Sequence, residues 1–247
     1  MRLFFIAFQF LTIVPVPLRI HWDEKALGRS MACFPLVGLA LGAGLVGLNY
    51  CCAALFPRPV VDLLLIVALT AVTGALHLDG LADVCDGLAA RGPRERFLAV
   101  MKDSRVGPVG AVGLILGLLL KYEALLAQPE AGKGTALLLF PLLARFSQVQ
   151  FTVGAQRARA DGLGSLFVGG AGWREFVVAA SLTLGVVVLL LGPPGMVLFL
   201  CVALLTWLCK RWAHRRLGGI TGDVIGCMSE LSEIAALLVV LALGKYS

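Results

Sequence analysis

The residues best equipped for chemistry lie in one run, His77-Leu-Asp-Gly-Leu-Ala-Asp-Val-Cys-Asp-Gly-Leu-Ala-Ala-Arg91. Asp79, Asp83 and Asp86 stand at i, i+4 and i+7. On a helix that spacing gathers the three carboxylates within a wedge of roughly 60°. Ala90 falls on the same face, and Gly80 and Gly87 lie beside it, where a missing side chain lets a ligand approach the backbone. Anions held together beside an apolar segment repel one another and resist low dielectric. A divalent cation relieves both problems, and oxygen-only ligands favour Mg²⁺, or Mn²⁺, over Zn²⁺. A solvated helix start is the plainer alternative, because acidic residues favour helix N-termini. It leaves a third Asp and two flanking glycines without a purpose.

Cations follow. Arg91, Arg94, Arg96, Lys102 and Arg105 crowd the next stretch, which includes Met101-Lys-Asp-Ser-Arg-Val-Gly107. A metal-binding face next to guanidinium groups suits a phosphate or diphosphate, since the metal bridges oxygens and Arg binds them bidentately. On this reading Asp103 joins the metal or substrate, while Ser104 caps the helix that follows. A third polar stretch, Gly218-Gly-Ile-Thr-Gly-Asp-Val-Ile-Gly226, has glycines that permit a nest of backbone N–H groups around an anion. Asp223 and Glu230 are seven residues apart and would share a helix face if the helix begins early. Glu233 and Arg145 sit in apolar runs, where a charge needs a partner. His77 is a candidate base or a hydrogen-bonded structural residue.

The elements that position these groups are membrane helices. Hydrophobic residues make up 59% of the 247-residue chain, charged residues 15%, and mean hydropathy is +0.92; soluble domains do not reach these values. The fold class is therefore all-α, a polytopic helical membrane protein with about six to seven transmembrane helices plus an N-terminal interfacial helix. Spans are expected over about 33–55, 62–78, 106–126, 135–153, 174–192, 195–209 and 230–244, after an apolar start at 3–14 closed by Pro15 and Pro17. The polar segment His21–Arg29 lies between the start and the first span. The seven cysteines form no CxxC pair and read as packing residues. There is no internal repeat and no domain boundary, so residues 1–247 form a single membrane domain.

Charge sets the expected orientation. Segments 1–30, 79–105, 154–174 and 210–230 hold 16 of the 21 Lys and Arg. Arg58, Lys121, Lys133 and Lys245 fall to the opposite side, and Arg145 within a span. The positive-inside rule then puts the acidic motif, with the loops at about 79–105 and 210–230, on the cytoplasmic face. The basic residues mark topology and not a nucleic-acid surface, because they gather at segment ends.

Three motifs in order, His77-x-Asp-Gly-Leu-Ala-Asp-x-x-Asp-Gly-Leu88, Met101-Lys-Asp-Ser-Arg-x-Gly107 and Gly218-Gly-x-Thr-Gly-Asp223, resemble the cobalamin synthase family, the adenosylcobinamide-GDP ribazoletransferases. The likeness runs over nearly the whole chain. It implies a Mg²⁺-dependent, multi-pass enzyme of the bacterial inner membrane that joins α-ribazole, or its 5′-phosphate, to adenosylcobinamide-GDP. GMP is released, and adenosylcobalamin or its phosphate forms in the last steps of cobalamin biosynthesis. Asp83, Asp86 and Asp103 are then the catalytic candidates. Asp79, Asp83, Asp86, Asp103 and Asp223 are the metal candidates. Substrate would meet His77, Gly80, Gly87, Arg91, Lys102, Ser104, Arg105, Thr221 and Glu230. A homo-oligomer and association with other enzymes of the pathway are further expectations. A second likeness is partial: Asp83-x-x-Asp-Gly-x-x-Ala-Arg91 fits the first half of the CDP-alcohol phosphotransferase signature. The second half fails, with Val100, Ser104 and Pro108 at its Gly and Asp positions. A lipid-headgroup transferase is thus the alternative, and a transporter built around Arg145 and Glu233 a remote one.

Overall fold

The computed structural model describes residues 1–16, 23–159 and 163–244, with side chains in the last segment described from residue 167. Pro17, His21 and Lys245 lie outside the described residues. Helices account for the architecture: α1 (Arg2–Leu11), α2 (Glu24–Ser30), a 3₁₀ turn (Met31–Cys33), α3 (Phe34–Ala53), α4 (Arg58–Val72), α5 (Leu76–Ala89), α6 (Arg94–Val100), α7 (Pro108–Leu126), α8 (Glu130–Thr152), α9 (Leu163–Gly170), α10 (Trp173–Leu191), α11 (Pro193–Leu217) and α12 (Gly222–Gly244). Among the described residues no strand forms; Arg157 and Ile220 make an isolated bridge.

Five stretches are long and apolar enough to cross a membrane: α2 through α3, α7, α10, α11 and α12. A sixth arises if α4 and α5, bent by 90° at their junction, count as one span. The chain is therefore a multi-helix membrane protein. The expected continuous span at 62–78 is corrected by this bend, which Gly74 (φ +61°) and Ala75 (φ +56°) make by adopting left-handed conformations in succession. The break matters because it re-aims α5, the helix that carries the acidic face.

α8 is the axis of the bundle. Its side chains from Leu137 to Val149 are almost all buried, and Arg145 is wholly so. α3 lies against it through Gly38 and Gly42, where an added Cβ would come within 2.4 Å of the Pro141 carbonyl oxygen and 2.7 Å of that of Leu137. Small residues four apart let the two backbones approach, the usual packing device where lipid removes any hydrophobic drive between helices. α12 lies between α5 and α8. It starts at Gly222 and not at 230, so half of the expected glycine-rich loop is its first turns.

Charges inside the bundle are paired. Lys121 Nζ donates to Glu230 Oε2 and Glu233 Oε2, each at 2.6 Å, and Arg145 donates to Glu233 Oε1 at 2.5 Å. At the other end Lys133 meets Asp62 at 2.5 Å, and Arg58 bridges Asp62 and Glu130. Lys121 and Lys133 are thus buried ion-pair partners in α7 and α8, and not the loop charges that the sequence suggests.

Candidate active site

A cavity of about 470 Å³ opens among α1, α3, α5, α8, α9 and α12. Asp79, Asp223 and Arg159 line one part of it, with His77, Gln148 and Thr152 beside them. α5 presents Asp79 because Gly80 lets it lie against the start of α12: a Cβ there would stand 2.4 Å from the Asp223 carbonyl oxygen. Arg159 donates to Asp223 Oδ2 at 2.8 Å. Asp83, one turn along α5, feels repulsion from Asp79, Asp223 and Asp86 and attraction from Arg159. Gln148 Nε2 lies 2.9 Å from both His77 Nε2 and Ser229 Oγ. Its two amide protons serve both contacts, so the His77 nitrogen accepts.

A second hollow of about 650 Å³ lies at the far end of α5, lined by Asp86, Arg96, Asp103, Arg105 and Gly107 among others. Here Asp86 is a helix cap. Its Oδ2 accepts from Gly107 N and its Oδ1 from Gly110 N, both at 2.7 Å, and Gly107 is the N-cap of α7. A Cβ at either glycine would press on an Asp86 oxygen, and at Gly110 also on the Ala82 carbonyl oxygen at 2.9 Å, so Asp86 would have to move from these bonds. Asp103 binds Arg105 through both carboxylate oxygens, at 3.0 and 2.7 Å, in an exposed turn.

A sequence model described as cobalamin-5-phosphate synthase matches residues 3–241. An adenosylcobinamide-GDP ribazoletransferase of Geotalea daltonii is 62% identical over 99% of this chain and 98% of its own. Enzymes of the same name from Pseudomonas putida and Roseiflexus are 41% and 37% identical, covering 95% and 94% of this chain and 96% and 86% of theirs. The chain belongs to the cobalamin-5-phosphate synthase family. No solved structure matches it.

Within this family member, the residues singled out by sequence divide into groups. Asp79, Asp83, Asp223 and His77 come together at or beside the cavity. Lys102, Ser104, Arg105 and Asp103 share an exposed turn beside the second hollow, and Arg91 is exposed just beyond α5. Ser104 does not cap α7; Asp86 does so from another helix. Thr221 caps α12, accepting from Val224 N at 3.3 Å. Glu230 is enclosed with Lys121 and is corrected from a substrate contact to a core ion pair. Gly80 and Gly87 give their space to protein, Gly87 to the Phe97 ring at 2.6 Å, so neither leaves backbone open to a ligand. The expected anion nest is likewise used internally: Ile220 N donates to the Gln156 carbonyl, and Gly218 ends α11 in a left-handed conformation.

Gln148 and Arg159, and the aromatic residues Phe10, Phe34 and Phe167, reach the cavity without having stood out by type or spacing. Only Arg159 carried a signal, as one of the basic residues at a segment end. Among the described residues no three His, Cys, Asp or Glu stand close enough together to surround an ion by themselves. Magnesium does not require that, since it keeps waters and takes one or two carboxylates plus substrate phosphates. Asp79 and Asp223 line the cavity and Asp83 lies beside them; the three carboxylates repel one another, and two of them suffice as that ion's protein donors.

Proposed function

We propose that this chain is a transferase that joins α-ribazole, or its 5′-phosphate, to adenosylcobinamide-GDP with release of GMP. The observation that carries the reading is the gathering of Asp79, Asp223 and Arg159 at one cavity with Asp83 beside them, in a chain that shares the family of ribazoletransferases along almost its whole length.

In the reaction a ribose hydroxyl oxygen bonds to the cobinamide-side phosphorus. The bond from that phosphorus to the bridging oxygen of GMP breaks, and GMP carries away the electron pair. Asp79, exposed at the cavity, receives the hydroxyl proton. His77 suits this role less, because Gln148 occupies its accepting nitrogen. Arg159, held by Asp223, turns a guanidinium towards the phosphate oxygens. Asp83 and Asp223 would hold Mg²⁺, which would supply charge neutralisation on the diphosphate. Arg105 and Lys102, in the outer turn, attract anionic substrate from solution. The basic segments at this end support placement of the site on the cytoplasmic side of the bacterial inner membrane.

The test is GMP release by purified protein in detergent, given adenosylcobinamide-GDP, α-ribazole and Mg²⁺, with an EDTA control. We expect metal-dependent GMP and a cobalamin product. Asp83→Asn is expected to lower turnover by about a thousandfold, the scale of losing a group that meets transition-state charge, with the unfolding temperature kept. Release of CMP from a CDP-activated lipid, with no GMP from the corrinoid, overturns the reading.

A further inference from the structure

The lining of the cavity is of two chemical kinds. Asp79, Asp223 and the Arg159 paired with it form a charged group, and Phe10, Met31, Phe34 and Phe167 an apolar one. The Phe10 and Phe167 rings meet edge-on at 4.5 Å, and Phe34 and Phe167 at 5.6 Å. This wall is assembled from α1, α3 and α9, so nothing local in the sequence announces it. Displacement at phosphorus has no use for it, because that chemistry runs on charge and positioning. Aromatic walls bind flat apolar rings.

We propose that the aromatic wall receives the base of the ribonucleoside acceptor and selects a benzimidazole over a purine. This rests on the transferase reading above, which requires the acceptor's ribose at the carboxylates. A base bonded to that ribose extends away from the carboxylates, and the aromatic wall lines another part of the same cavity. The donor's guanine is the wrong occupant. It carries an N–H and an amino group that would lie unpaired against phenyl rings and a thioether, and buried polar groups without partners are penalised. The amide protons of Gln148 are already placed on His77 and Ser229. A ribosylated benzimidazole has no N–H and a single accepting nitrogen, for which Gln9, beside Phe10 in the lining, carries an amide. Rejection of polar edges by such a wall is of the same order as selection by size, up to about a hundredfold.

The decisive experiment measures KM for both substrates in the full-length protein, Phe10→Ala and Phe10→Leu. Phe10 is only half-buried, so its truncation is milder than that of the enclosed Phe34. We expect Phe10→Ala to raise KM for α-ribazole about tenfold, the worth of one aromatic contact. KM for adenosylcobinamide-GDP and kcat should stay within about twofold, with Phe10→Leu intermediate. Wild-type protein should also favour α-ribazole over the α-ribonucleoside of adenine, a preference that Phe10→Ala weakens. A rise in the donor's KM instead, or no change in either, overturns the proposal. Should Phe10→Ala fail to fold, equal wild-type KM values for the two nucleosides overturn it alone. Absence of GMP release with any benzimidazole nucleoside sinks the transferase reading itself and is thereby distinguished.

Discussion

Asp103 and Asp83 share a residue type but not a role, and their partners separate them. Arg105 donates to Asp103 through its side chain and backbone and holds that carboxyl down to about 2. A depressed folded value means that the pair contributes above the ordinary carboxylate range and is lost only as pH falls through about 2. Asp103 therefore titrates nowhere near the working range. We expect Asp103→Asn to leave the shape of the activity profile unchanged between about pH 5 and 9. A limb lost from that profile in the variant would show that Asp103 acts as a proton carrier. Asp83 has no such partner among the described residues. It is partly buried beside other carboxylates, so it retains lone pairs to offer a cation.

At the scale of the element, the acidic face of α5 does two jobs. Asp79 lines the cavity with Asp83 one turn along, whereas Asp86 ties α5 to the first turn of α7 by its bonds to Gly107 and Gly110. The N-terminal N–H groups of a helix need acceptors, and a carboxylate also suits the positive end of the helix dipole. We expect Asp86→Ala to destabilise the protein by about 2 kcal/mol, the upper end of N-cap losses, and to speed hydrogen exchange at Gly107 and Gly110. Unchanged exchange there, with activity abolished, would return Asp86 to the metal. The i, i+4, i+7 spacing places the three carboxylates on one face, and that much was legible. Which neighbour each meets depends on α7, α8 and α12, which the spacing does not contain.

Across the whole molecule, stability depends on buried charge as well as on packing. Glu233 is 1% exposed and is shared by Lys121 and Arg145, which are themselves enclosed. Removing one member of a buried network strands the others in low dielectric. Glu233→Gln is expected to destabilise by about 3 to 5 kcal/mol, read as a lower unfolding temperature in detergent. A small shift would mean that water reaches the network. The same arrangement explains why counting loop charges overstates the free charge at the far end of the bundle. Lys133 and Arg58 share Asp62.

Composition and hydropathy determine the membrane-helical class by themselves, because bilayer thickness sets the length of an apolar run and hydrocarbon leaves helices as the way to satisfy the backbone. The three motifs mark the region of chemistry for a similar reason: carboxylates are disfavoured in such helices unless something uses them. Only the tertiary structure decided what uses them. The left-handed conformations at Gly74 and Ala75 turned α5 across its neighbours. The glycines at 80, 87, 107 and 110 went to close protein contacts, and Glu230 and Thr221 went to a core ion pair and a cap. Arg159, Gln148 and the phenylalanines of α1, α3 and α9 entered the cavity from distant parts of the chain. Spacing along a helix specifies a direction, but a partner is specified by which backbone lies in that direction, and that is a property of the packed bundle.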